Sequence, residues 1–248
     1  MKYFLFLLFV SSPLHAMEPM EFVYSDPYPP FSWQGEKRMQ GVLIDIVTEA
    51  VQERMNIPVR HRGYPWKRAQ SLVKKGFADA FITTPSPARR KYTNISSEII
   101  FKLPVNLFVS KDHPKFQQLI KVKSIDELKN YQMVSNIGNG WAKKNLEDRG
   151  IFTHYIAYRS QIPKFLILGR ADGWIDTFLS AEYFVKKEGA AGTIVRAPHI
   201  FSNYNQHICI GKHSAYKDIL AQFDGIVREM KNDGTIQKII EKYIRSSL

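Results

Sequence analysis

A single cysteine, Cys209, stands in a chain of 248 residues, so no intramolecular disulfide can form. An exported chain without disulfides must rely on its core, which this length can supply. No run reaches the ~18 consecutive apolar residues that a membrane helix needs. None of the seven histidines (His15, His61, His113, His154, His199, His207 and His213) falls in a HExxH or HxxxH frame. His207 and Cys209 share one strand face, but two ligands do not make a metal site, and a half-buried strand explains them better. No metal and no cofactor is expected. A G-x-S-x-G elbow, a P-loop and a GxGxxG turn after a strand are all missing, so the motifs of the common hydrolases and nucleotide enzymes are absent. There is no low-complexity segment, obvious internal repeat or flexible linker.

What is present begins with an export pattern. Lys2 supplies a positive start, Tyr3 to Val10 is apolar, and Ser11-Ser-Pro-Leu-His-Ala16 offers a cleavage site after Ala16. Residues 1–16 read as a secretory signal peptide, too short to span a membrane. No cysteine lies near the cleavage site to carry a lipid, and the mature protein is expected to be soluble in a bacterial periplasm. The net charge is +12, and +11 without Lys2. Such a balance can favour anionic ligands, membranes or nucleic acid. Export argues against nucleic acid, and the scattered lysines read as solvated helix faces.

With 44% apolar residues the mature chain can bury a substantial core. Strands and helices alternate along it. Phe22-Val-Tyr24 reads as a strand; residues 42–55, with apolar positions at helical spacing, as a helix; Pro58 to Arg62 as a strand; and the helix marked by Trp66, Ala69, Leu72 and Val73 stops at Gly76. The second pass has strands at 132–135 and 173–175, helices from about Trp141, Ser160 and Ala181, and a capping box at Ser124-Ile-Asp-Glu127. Two C-terminal helices split at Asn232-Asp-Gly234. This order is α/β with mainly parallel sheets. The first pass ends near residue 105 and the second spans 106–200. Extended runs near 102–110 and 196–210 are where the chain crosses between two lobes, so that 17–105 with 201–248 form one lobe and 106–200 the other.

The richest stretch runs from Asp79 to Ser96. A buried strand, Ala80-Phe81-Ile82, passes into Thr83-Thr84-Pro85-Ser86-Pro87, then Arg89-Arg90. Proline ends the strand and leaves N–H groups without ladder partners, and a guanidinium offers a planar fork for a carboxylate or phosphate. Adjacent arginines diverge, so one faces the cleft and the other solvent. Tyr28, in a proline-stiffened loop, and Trp66, opening a helix, can sandwich a ligand or simply pack. Gly138-Asn139-Gly140 before a helix can present N–H groups to an anion. Asp176 and Thr177 follow a strand, where the carboxylate can meet an ammonium or cap a helix.

Taken in order, Tyr28-Pro-Pro-Phe31, Gly41-Val-Leu-Ile-Asp45, Gly76-Phe-Ala-Asp79-Ala, Ser86-Pro-Ala-Arg89, Ile125-Asp-Glu-Leu128, Gly138-Asn-Gly140, Gly169-Arg-Ala-Asp172 and Asn232-Asp-Gly234-Thr235 resemble the bacterial extracellular solute-binding proteins of family 3, which serve polar amino-acid ABC transporters. The resemblance spans the mature chain. It implies a type II periplasmic-binding fold, each lobe a sheet flanked by helices, with the ligand between the lobes. It implies Arg89 as the carboxylate clamp, Thr84 as a backbone donor, Tyr28 and Trp66 beside the ligand, Ile82 in the same set, N–H groups from Asn139 and Gly140, and an ammonium partner at Asp176, with Thr177 its rival. Ser86 stands where the family usually has Thr, and Gly140 where a small hydroxyl residue is frequent.

The reading is therefore a non-catalytic protein that captures an amino acid or related carboxylate by cleft closure and hands it to a membrane permease, as a monomer. Two rivals remain. One is a periplasmic dehydratase acting on prephenate or arogenate, for which Asp176 or Glu182 would be the general acid. The other is a ligand sensor without a transporter.

Overall fold

The structure, a computed structural model, describes residues 18–246; the expected export signal, 1–16, lies outside them. The first lobe opens with β1 (Met20–Ser25), a short hairpin of β2 (Trp33–Gln34) and β3 (Met39–Gln40), and α1 (Val42–Val47), which widens into a π-helix over Thr48–Arg54. It continues through β4 (Val59–Tyr64), α2 (Trp66–Lys74), β5 (Ala80–Thr83), the single turn α3 (Pro87–Arg90) and β6 (Thr93–Ile95).

A long strand, β7 (Phe101–Ser110), carries the chain across. The second lobe holds α4 (Phe116–Leu119), β8 (Met133–Asn136), α5 (Gly140–Asn145), β9 (Thr153–Ile156), α6 (Ile162–Ile167), β10 (Gly173–Thr177) and α7 (Phe178–Lys187). The chain returns along β11 (Ile194–Gly211) and ends in α8 (Leu220–Asn232) and α9 (Thr235–Ser246).

The strands order as β4-β1-β5-β11-β7-β10-β8-β9, with β6 on β11. Inside each lobe the strands are parallel, β1 between β4 and β5, and β8 between β10 and β9. The crossing strands run antiparallel to their neighbours. The central strands are buried on both faces, as parallel strands covered by helices must be: Phe22, Val23 and Tyr24 in β1, and every residue of β10. The edge strand β4 alternates instead and turns Arg60 and Arg62 outward, where both meet Glu21.

The two extended runs foreseen in the sequence pair with each other. β7 and β11 share a ladder from Phe101↔Gln206 to Val109↔Val195 and Ser110↔Ile194. Its register shifts between Arg196 and Ser202, where Pro198 has no N–H to give. The buried Asn106 side chain fills the gap, its Nδ2 donating to the carbonyls of Ala197 (3.3 Å) and His199 (2.8 Å). Apolar side chains divide into cores on either side of this crossing. Phe22, Ile46, Val47 and Phe223 belong to the first lobe, and Leu107, Met133, Leu146 and Ile175 to the second. Tyr204 of β11 touches both.

Two local features anchor the first lobe. Gly41 has φ +131°, and a Cβ there would lie 2.4 Å from the Phe31 carbonyl oxygen, so only glycine fits between the Tyr28 loop and α1. The Tyr243 hydroxyl accepts from the Gly41 N–H (3.2 Å) and donates to Asp45 (2.8 Å), docking α9 against α1. The capping box is local: the Ser124 hydroxyl donates to the Glu127 carboxylate (2.9 Å), and only a 3-10 turn, Asp126–Leu128, follows.

His61 sits under this lobe, its Nδ1 at 2.9 Å from the Tyr24 hydroxyl and its Nε2 at 3.2 Å from Thr48 Oγ1. Burial lowers its pKa to about 4. The unfolded chain takes up this proton near pH ~6.5 and the folded chain does not, so stability falls as pH drops from ~6.5 towards 4. The contribution is at most about 3 kcal/mol at the acid end. Urea unfolding from pH 7 to 4.5 should show a flatter pH dependence for His61→Gln than for wild type. Parallel curves would count against this role.

Candidate ligand-binding site

β5 delivers the first half of the site. After Thr83 the chain passes Thr84 and Pro85, and Ser86 caps α3 by accepting from the Arg89 N–H (3.3 Å). The turn is closed again by Thr93, whose hydroxyl donates to the Arg89 carbonyl (2.9 Å). Arg89 is thereby aimed inward while Arg90 is exposed. Its Nε donates to Gln70 Oε1 (3.1 Å) and its Nη1 to the Thr84 carbonyl (2.7 Å), and the guanidinium lies 5.4 Å from the centre of the Trp66 ring. Trp66 in turn packs edge-on against Phe81 at 5.3 Å.

Two fixed hydrogen bonds on a fork of five N–H groups leave three donors. Among the described residues no carboxylate pairs with Arg89, and burial lowers its pKa. The Thr84 hydroxyl next to it is buried and has no partner either. A half-buried cation without a carboxylate partner, beside an orphaned hydroxyl, is costly to fold and fits an anion that arrives from outside.

The carboxyl end of β10 delivers the other half. Asp176 and Thr177 are both buried there. Asp176 Oδ1 accepts from the Thr177 N–H (2.7 Å), and Oδ2 accepts from Arg159 Nε (3.1 Å). The Arg159 guanidinium lies 4.9 Å from the centre of the Tyr28 ring, so a residue of the second lobe stacks on one of the first. Burial opposes the charge of Arg159, but Asp176, then Tyr28, outweigh it and its pKa lies above the ordinary value. Tyr204 stands between the halves. Burial raises its phenol pKa, Asp176 and Tyr28 push the same way, and Arg159 and Arg89 oppose.

The structure thus gathers Arg89, Thr84 and Trp66 on one side, and Asp176, Thr177 and Tyr28 on the other. Ile82 is buried in the first core, paired with Ile208. Asn139 is a helix cap: its Oδ1 accepts from the N–H groups of Trp141 (3.1 Å) and Ala142 (3.2 Å), and its own N–H, one of the two expected to face a ligand, donates to the Asn136 carbonyl (3.2 Å). Gly140 is exposed beside it. Three residues of the site escaped sequence reasoning: Gln70, Tyr204 and Arg159. A recess of about 310 Å³ lies elsewhere, along Ser97–Lys102 and Lys231, where Glu98 already pairs with Arg228 and Lys231. Among the described residues there is no cluster of three metal-binding side chains, and no helix is long and apolar enough to cross a membrane.

The family model for the bacterial extracellular solute-binding proteins, family 3, matches residues 20–246. The chain belongs to that family. An ancestral arginine-binding protein bound to arginine shares its fold at 22% identity, with a TM-score of 0.72 over 91% of this chain and 97% of that one. The substrate-binding protein of an amino-acid ABC transporter gives 19%, 0.69, 92% and 100%. A histidine kinase sensor domain with similarity to periplasmic binding proteins gives 16%, 0.75, 92% and 96%. No curated protein matches this family member in sequence.

The charge layout predicts opposite responses in the ligand-free protein. Asp176→Ala strands the buried Arg159 and should cost about 3 kcal/mol. Arg89→Met removes an uncompensated charge and should leave stability within about 1 kcal/mol of wild type or raise it. Urea midpoints of the two variants check this, and a large loss in Arg89→Met would mark that side chain as structural.

Proposed function

We propose that this chain is a periplasmic receptor that captures a small carboxylate, an amino acid or a related acid, between its lobes and presents it to a membrane permease. One observation carries the reading: the Arg89 guanidinium, largely buried and held by Gln70 and Thr84, keeps donors free and has no carboxylate partner among the described residues. The carboxylate docks on that fork, with the Thr84 hydroxyl beside it and Trp66 behind it. Tyr28, Thr177 and the Asp176–Arg159 pair meet the rest of the ligand, and the Asn139–Gly140 turn rims the second lobe. Family membership supports solute capture outside the cytoplasm. The pattern of residues 1–16 supports export, and the amino-acid-binding neighbours support the ligand class.

On this reading the lobes are residues 17–105 with 201–248, and residues 106–200, which the separate cores support. They open and close about β7 and β11, and closure desolvates the ion pairs and strengthens them. The work is binding without bond-making, and a monomer suffices for it.

A thermal-shift screen of amino acids and other small carboxylates on the mature protein tests the reading. A ligand at about a hundred times its Kd adds roughly 2.7 kcal/mol of stability. With the strongest hit, Arg89→Ala should lose on the order of 2–5 kcal/mol of binding, while Arg90→Ala stays near wild type. Equal losses in calorimetric titration would refute the clamp.

A further inference from the structure

We infer that the cleft selects small carboxylates lacking an α-ammonium group, because Arg159 already occupies the place at Asp176 that such a group would take. The inference rests on the proposed docking of a carboxylate at Arg89 and narrows it to a ligand class.

The argument is one of vacancies for charge. Asp176 is the acidic side chain of the site, and only 4% of its side chain is exposed. Both its oxygens are engaged: Oδ1 accepts from the Thr177 N–H (2.7 Å) and lies 3.4 Å from the Thr177 hydroxyl, and Oδ2 accepts from Arg159 Nε (3.1 Å). Arg159 is itself 20% exposed and clasped against the Tyr28 ring. The pair is therefore mutual and largely desolvated. A ligand ammonium would have to expel Arg159 and strand a guanidinium, or sit beside it without compensation. The first course loses a buried charge pair, and the second sets a further positive charge against Arg159.

An oxygen acceptor meets the opposite situation. Arg159 binds Asp176 through Nε, and its two terminal nitrogens have no side-chain acceptor among the described residues. With Arg89, the site holds two guanidinium groups against one carboxylate, and Tyr204 lies within the field of both. A ligand with a carboxylate at Arg89 and a keto oxygen, hydroxyl or second carboxylate towards Arg159 satisfies both forks and balances the excess positive charge. The class is that of 2-oxo acids, 2-hydroxy acids and dicarboxylates.

Isosteric pairs isolate the one group in question. Titration calorimetry on the mature protein would compare 2-oxoglutarate with L-glutamate, phenylpyruvate with L-phenylalanine, and 4-methyl-2-oxopentanoate with L-leucine. In the pair that binds, the oxo acid should bind at least tenfold more tightly, and Arg159→Gln, which frees Asp176, should cut that preference at least tenfold. If Arg159→Gln does not fold, Arg159→Lys keeps the ion pair but loses the fork and should weaken the oxo acid alone. Tighter binding of the amino acid by wild type would overturn this inference and leave the Arg89 reading standing. An unchanged preference in the Arg159 variants would overturn it too. Failure of every carboxylate of both kinds would bring down the Arg89 reading together with it.

Discussion

The β7–β11 ladder is the constraint on which everything else hangs. Two strands that cross between the cores in opposite directions satisfy their backbone groups by pairing with each other, since much of β7 is buried. They do so over most of their length, from Phe101↔Gln206 to Ser110↔Ile194. The same pairing fixes the register of β5 on one side and β10 on the other, so it sets where Thr84 and Asp176 emerge. Both lie at carboxyl ends of strands, the end where open α/β sheets present their ligands. The interruption near Pro198 lies in this ladder, and the Asn106 side chain repairs it without restoring a regular strand. A ladder irregular at that one point stays paired while offering a place to bend.

Charge placement then separates the groups that build the fold from those held ready. Glu21 pairs with Arg60 and Arg62, Arg54 with Glu49 and Asp233, and Asp172 with His113; all have partners in the chain. Arg89 does not. A folded chain retains a desolvated cation only if something outside offsets it or if the rest of the core carries the deficit. The capped turn Ser86–Arg90, the Thr93 clasp and the Gln70 acceptor all serve to keep that side chain extended and aimed. On the proposed reading, so much fixing of a group that has no carboxylate partner among the described residues preorganises it for a ligand.

Much of this was legible in the residues. The apolar run at Ala80–Ile82 broken by Thr84-Pro85 marked the strand end. The adjacency of Arg89 and Arg90 meant that only one could turn inward. Helical spacing gave the helix at 42–55 but not its widening over Thr48–Arg54, which depends on how the chain packs. The strand Thr153–Ile156 escaped because it lies at a sheet edge with every residue half-buried, leaving no clean alternation to see. Arg159 escaped for a related reason. It follows that unrecognised strand in a short 3-10 turn, and nothing in the neighbouring residues distinguishes it from the arginines of the surface. Its meaning comes from Asp176, seventeen residues further on, and from Tyr28, which belongs to the other lobe. Only the fold brings these three together.

That convergence gives Arg159 a standing different from that of Arg89. On the proposed reading Arg89, held by Gln70 and Thr84 of its own lobe, keeps its geometry whether the cleft is open or shut. Arg159 reaches across: its carboxylate partner is in the second lobe and its aromatic partner in the first. On that reading, separation of the lobes pulls Tyr28 off the guanidinium and admits water to the Asp176 pair, weakening both contacts. Closure restores them. A ligand acceptor between the two forks adds to the closed state without costing Arg159 either partner, whereas a ligand that competes for Asp176 stabilises closure at one contact and undoes it at another. On the proposed reading, selectivity and closure are therefore set by the same side chain, since a ligand can shift the lobes only by its differential affinity for the closed form.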